Sequence, residues 1–194
     1  MNIPNRLSLT RIILLPFMMF FYMTTLIPSQ YSKIVALVIF IVASLTDFLD
    51  GYIARKYNLI TDFGKFIDTI ADKMLTFTAL FMFMVDGIIP HPWGIIFAFV
   101  TLLRDFIVTG IKSLCASKGT VMCAEQIGRI KFFISTLAYP LGFVVSILKA
   151  FAITGTLPLV FEIIFYVLIG ATAVLTVYSG IYYIVKYRSV FEGM

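Results

Sequence analysis

Apolar residues fill this chain in six long stretches with short polar breaks between them. The stretches run over residues 7–27, 33–54, 64–86, 93–116, 127–150 and 159–186. Each reaches about the 20 residues that a helix needs to cross the hydrocarbon core of a bilayer. They do not alternate with a period of two and run well past strand length, which excludes a β-barrel. The pattern predicts an all-α integral membrane protein of six transmembrane helices. The loops leave no room for a soluble domain, and no linker, repeat or low-complexity tract appears, so residues 1–194 are expected to form a single membrane domain. Arg6 and Arg11 precede the first apolar run as in a signal peptide. No small-x-small cleavage site follows, and the run is of full spanning length before Pro28, so it is expected to be retained.

Composition sharpens this picture. Hydrophobic residues make up 61% of the chain, against roughly 45–50% in a soluble domain. A net charge of +5 could suggest nucleic acid, but its placement says otherwise. With the N-terminus in the cytoplasm, thirteen of the fifteen Lys and Arg fall on the inner side or near inner helix ends, and only Lys33 and Lys149 fall outside. That bias predicts cytoplasmic termini and a multi-pass protein of a plasma membrane. Anionic headgroups and phosphate-bearing substrates, rather than nucleic acid, suit such a basic face. Cys115 and Cys123 read as free thiols, and His91 as a headgroup-level loop residue beside Trp93.

The chemistry concentrates between Asp47 and Asp72. Asp47 and Asp50 are three residues apart, Asp68 and Asp72 four, so each pair shares a helix face. Asp50 lies five residues before Arg55, where the second helix closes, and Asp68 four after Gly64, where the third opens. An antiparallel hairpin would bring both pairs to one level just inside the cytoplasmic interface. Carboxylates at that depth need partners, and four acids without four matching bases point to a cation. Oxygen ligands without Cys or His suit Mg²⁺ or Mn²⁺, two ions balancing four acids and holding a pyrophosphate. Gly51, Ala54 and Gly64 would leave backbone open to a nucleotide ring or phosphate. Salt bridges from Arg55, Lys65 and Lys73 would be the plainer account of any single acid.

Basic residues further on suggest an anion site. Arg104 is a guanidinium in an apolar span, and Lys112 follows it by two turns. Arg129 and Lys131 begin the fifth helix, where an N-terminus also attracts anions. Together the four could clamp a small phosphate; positive-inside snorkelling is the plainer account of Lys112, Arg129 and Lys131.

The series Asp47-x2-Asp50-Gly51-x2-Ala54-Arg55-x8-Gly64-x3-Asp68-x3-Asp72 resembles the signature of the CDP-alcohol phosphatidyltransferases. The resemblance implies a six-helix membrane bundle, usually a homodimer, with a site open to the cytoplasm. It implies that Asp47, Asp50 and Asp68 hold two divalent ions with Asp72 at their edge. It also implies that Gly51, Ala54, Arg55 and Gly64, with Asp47, Asp50 and Asp68, shape the CDP site. The opening Asn2-Ile3-Pro4-Asn5-Arg6-Leu7-Ser8-Leu9-Thr10-Arg11 is similar to that of bacterial members that use sn-glycerol 3-phosphate, although Ser8 stands where Thr is common. Arg104-Asp105 with Lys112, and Gly128-Arg129-Ile130-Lys131, are similar to two further segments, with Phe132 in place of a usual Thr. The reaction implied is phosphatidyl transfer from CDP-diacylglycerol to sn-glycerol 3-phosphate with release of CMP. Asp72 would act as base, and Arg104, Lys112, Arg129 and Lys131 would hold the acceptor phosphate. Siblings using inositol phosphate, serine or phosphatidylglycerol remain alternatives. A cation- or proton-coupled transporter is the alternative from another class, but it would place its acids nearer the midplane, on broken helices.

Overall fold

The computed structural model describes residues 2–57, 59, 61–118 and 126–188; the side chains of Ile3 and Arg55, and Cys123, lie outside that set. Six helices follow one another: α1 (Ile3–Met23), α2 (Ser29–Lys56), α3 (Asp62–Val85), α4 (Trp93–Ser117), α5 (Gln126–Ala150) and α6 (Thr156–Lys186). No strand occurs among the described residues. The expected ends of α4 and α5 agree to within one residue. α1 starts four residues earlier than its apolar run, because Pro4 sits in the first turn, where its missing N–H costs nothing.

Five of the helices are long and apolar enough to cross a membrane; α3 is the exception. Its first twelve residues carry Asp62, Lys65, Asp68, Asp72 and Lys73. Its 24 residues still extend about 36 Å, enough to span. Charge, not length, sets it apart. Its start is fixed by Thr61, whose hydroxyl accepts from the Gly64 N–H at 3.0 Å. Its end is a Schellman turn: Gly87 takes a left-handed φ of 66°, and the Ile88 N–H reaches Phe83 O at 2.9 Å.

The packing divides the chain into two compact units, Met1–Ile89 with Tyr139–Phe161, and Pro90–Ala138 with Glu162–Met194. In the first, α1 packs extensively on both α2 and α3, which touch each other little. The expected α2–α3 hairpin is thus mediated by α1. Phe143 of α5, fully buried, meets the rings of Phe83 at 5.1 Å, Phe40 at 5.2 Å and Tyr22 at 5.9 Å. One polar knot lies among these apolar contacts. Asp86 accepts from the Tyr22 hydroxyl at 2.5 Å and from the Ser146 hydroxyl, and pairs with Lys33 at 2.7 Å. A half-buried carboxylate with three donors is satisfied, so the knot joins α1, α2, α5 and the end of α3 without an orphaned charge.

In the second unit Val108, Ile111, Cys115 and Tyr183 form a buried cluster. Large apolar side chains such as Phe17, Phe20, Phe99, Phe106 and Val174 are exposed. Water would penalise such a surface; lipid solvates it.

Candidate active site

Three of the four aspartates converge. One oxygen from each of Asp47, Asp50 and Asp68 lies within 4.8 Å of the others. Asp72, one turn beyond Asp68 on α3, is exposed and stands outside this group. The two helices deliver the acids, and a third organises them. Arg11 of α1 is fully buried and ion-pairs with all three: through Nη1 with Asp47, through Nη2 with Asp50 at 2.6 Å, and through Nη1 with Asp68 at 3.5 Å. The basic partner is therefore Arg11, which charge counting alone places among the residues of the inner face. Lys65 instead pairs with the exposed Asp62 at 3.0 Å.

Asp50 is the most enclosed acid, 4% exposed, and its Oδ2 also accepts from the Ser8 hydroxyl at 3.0 Å. Asn5, Ser8 and Arg11 recur every three residues along α1, which turns one polar stripe onto the acids and the cleft beside them. None of the three stands out in the sequence as a site residue. The stripe was the available signal.

Beside the acids an open cleft is lined by Asp50, Gly51, Ala54, Gly64 and Asp68, joined by Ser8 and Lys65. This gathers five of the seven residues expected to shape a nucleotide site; Asp47 lies in the acid cluster instead, and the Arg55 side chain is outside the described residues. Gly64 has a second reason to be glycine. A Cβ there would fall 2.5 Å from Asn5 Oδ1 and 3.0 Å from Thr61 Oγ1. Asn5 occupies the space that the missing side chain leaves, and its amide donates to Thr61 Oγ1 at 3.2 Å. Gly64→Ala should therefore cost about 1–3 kcal/mol of stability, as overpacking does. A melting-temperature cycle with Asn5→Ala checks this: the double variant should lose less than the two single losses combined, whereas strict additivity would separate the two residues.

The donor set fits a hard divalent cation. All ligands are carboxylate oxygens within 4.8 Å of one another, and oxygens on one Mg²⁺ are at most about 4.2 Å apart, so the three acids would draw in to hold one. Asp47, Asp50 and Asp68 can hold a metal ion.

Of the four basic residues expected at a phosphate, two meet. Asp105 pairs with Arg104 Nη1 at 2.9 Å and with Lys131 Nζ at 3.7 Å. Lys112 and Arg129 are exposed on their helices. Arg104 Nε donates to Ser179 Oγ at 3.1 Å, and its guanidinium lies 5.7 Å from the Tyr183 ring. A Cβ on Gly180 would come within 3.2 Å of Arg104 Cγ, and one on Gly128 within 3.3 Å of the Tyr183 hydroxyl. Close glycines, a serine and a ring thus fix the arginine's stem and Nε, and Asp105 draws its Nη1. Ser179, Gly180 and Tyr183 belong to α6, whose apolar sequence gave no sign of this role.

Comparison with known proteins places the chain in a family. The sequence pattern of the CDP-alcohol phosphatidyltransferases matches residues 1–178. The chain is 36% identical over 149 residues to the CDP-diacylglycerol–glycerol-3-phosphate 3-phosphatidyltransferase of Bacillus subtilis (strain 168), covering 71% of this chain and 74% of that one. It is 34% identical over 137 residues to the enzyme of the same name from Rickettsia bellii (strain RML369-C), covering 71% and 72%. Against that of Escherichia coli (strain K12) it is 35% identical over 133 residues, covering 67% and 70%. A match over nearly the whole chain, joined to three converging aspartates on α2 and α3, makes this protein a member of the CDP-alcohol phosphatidyltransferase family.

Proposed function

We propose that the protein transfers the phosphatidyl group of CDP-diacylglycerol to sn-glycerol 3-phosphate, forming phosphatidylglycerophosphate and CMP. The observation that carries the reading is the convergence of Asp47, Asp50 and Asp68 beside a glycine-lined cleft, in a chain whose relatives bear that reaction's name. The acceptor's primary hydroxyl oxygen attacks the β-phosphorus, the bond from that phosphorus to CMP breaks, and the Asp72 carboxylate takes the hydroxyl proton. Mg²⁺ or Mn²⁺, two ions by the family pattern, would be held by Asp47, Asp50 and Asp68 with Asp72 at the edge, and would supply charge neutralisation to the diphosphate and the departing CMP. Gly51, Ala54, Gly64 and Arg55 shape the cleft for the CDP moiety. Arg104 and Lys131, steered by Asp105, hold the acceptor phosphate, with Lys112 and Arg129 adding positive charge around them. The site faces the cytoplasm with both termini, as the distribution of Lys and Arg supports. A homodimer is part of the proposal on the family resemblance alone.

The test is CMP release by purified protein in micelles containing CDP-diacylglycerol and Mg²⁺ or Mn²⁺, with a panel of acceptors. Glycerol 3-phosphate should support turnover; inositol phosphate, serine and phosphatidylglycerol should not. Release with another acceptor alone would move the protein to a sibling reaction. Arg104→Ala should raise the KM for glycerol 3-phosphate by at least about tenfold and leave that for CDP-diacylglycerol within about threefold. The reverse split would take Arg104 out of the acceptor site.

A further inference from the structure

Arg11 does more than neutralise one acid. Its guanidinium contacts one oxygen on each of the three carboxylates that can hold a metal ion, two on α2 and one on α3. The side chain is fully buried, and arginine does not give up its proton, so its charge there is fixed. Its Nε is buried without a hydrogen-bond partner among the described residues. An orphaned donor is costly, so the guanidinium is held by its attraction to the acids and not by a complete set of bonds. Three carboxylate oxygens are thus already gathered around a cation that belongs to the protein itself.

We propose that Arg11 is a resident counter-cation which competes with the divalent ion for Asp47, Asp50 and Asp68 and so sets how tightly that ion is held. The inference rests on the metal-dependent reading above. A guanidinium and a divalent ion at the same carboxylates repel each other, most strongly at Asp50, whose side chain is 5% exposed, and less at the more open Asp47 and Asp68. The ion therefore binds against Arg11, either sharing the carboxylates through their second oxygens or pushing the guanidinium aside. The same residue keeps the acids converged between rounds of ion binding, because three like charges would otherwise spread apart. Arg11 is in this sense a positioning residue; nothing requires it to touch substrate.

The experiment measures Mn²⁺ binding to the full-length protein in detergent by loss of the free Mn²⁺ signal in electron paramagnetic resonance, with melting temperatures in EDTA and in Mn²⁺. Arg11→Gln should bind Mn²⁺ at least about tenfold more tightly than the unsubstituted protein. It should melt lower in EDTA and gain more on adding Mn²⁺. Arg11→Lys keeps the charge but not the fork, and should fall between the two. Equal or weaker Mn²⁺ binding by Arg11→Gln, with normal binding by the unsubstituted protein, overturns the proposal. So does an Arg11→Gln protein that stays unfolded in millimolar Mn²⁺, since the ion then cannot take over the guanidinium's place. If the unsubstituted protein itself binds no Mn²⁺, the metal-dependent reading fails first, and that result is distinct from either of the others.

Discussion

Asp50→Asn should reduce CMP release by about a thousandfold or more, a loss on the scale expected when a group that stabilises developing charge is removed. Asp50 is the enclosed member of the acid cluster and serves two partners at once, Ser8 and Arg11. The amide keeps the shape and one accepting oxygen, so both hydrogen bonds can persist. The negative charge is what disappears. Arg11 then keeps only Asp47 and, at longer range, Asp68 as charged partners, and breaking a buried pair costs about 3–5 kcal/mol in general. The isosteric change and the two remaining acids should hold the actual loss of stability below that range. The variant is therefore expected to fold, melt somewhat lower and bind Mn²⁺ more weakly, while turnover collapses. Ser8→Ala is the matched control: it removes one hydrogen bond to the same oxygen and no charge, and its effect should stay within about tenfold, one bond's worth. Asp50→Asn turnover within tenfold of normal at saturating Mn²⁺ would show that the enclosed carboxylate is structural. The assignment of the metal site to these three acids would then fall.

The contrast between Asp50 and Arg11 shows how far the sequence can be read. The acids announce themselves because carboxylates in apolar spans are rare, and their spacing of three and four residues survives without any tertiary information. The six helices are legible for the same reason, since lipid demands long apolar runs. Arg11 is equally unusual, a cation in a spanning helix, yet counting charges by side of the membrane absorbs it into a basic face. Only packing separates an arginine that snorkels from one that turns inward, and here α1 lies against both α2 and α3. Gly64 was legible as a required glycine, but for an incomplete reason: Asn5 fills the gap as much as a ligand would. Ser179 and Tyr183 were not legible at all. A serine and a tyrosine in an apolar helix are ordinary, and their meaning comes from Arg104, more than seventy residues away in sequence. The Lys33–Asp86 pair was hidden in the same way, since two residues at different helix ends carry no pattern that joins them.

Asp72→Asn should lower kcat by about 10²–10⁴-fold, the range of a general base, and should leave the protein otherwise whole. Its position separates this effect from that of Asp50. Asp72 is exposed and outside the three-acid group, so the amide should shift the melting temperature little and leave Mn²⁺ affinity within about threefold. The KM for CDP-diacylglycerol should change equally little, because a group that acts only as the acceptor's hydroxyl is deprotonated contributes to the transition state and not to substrate binding. The pattern of losses is therefore diagnostic. A fall in kcat alone assigns Asp72 to the proton. A fall in kcat with a matching loss of Mn²⁺ and CDP-diacylglycerol binding makes it a fourth metal ligand, drawn in one helical turn from Asp68 when the ion binds. Activity within tenfold of normal would exclude both roles, and the base would then have to be sought among the carboxylates that Arg11 holds together.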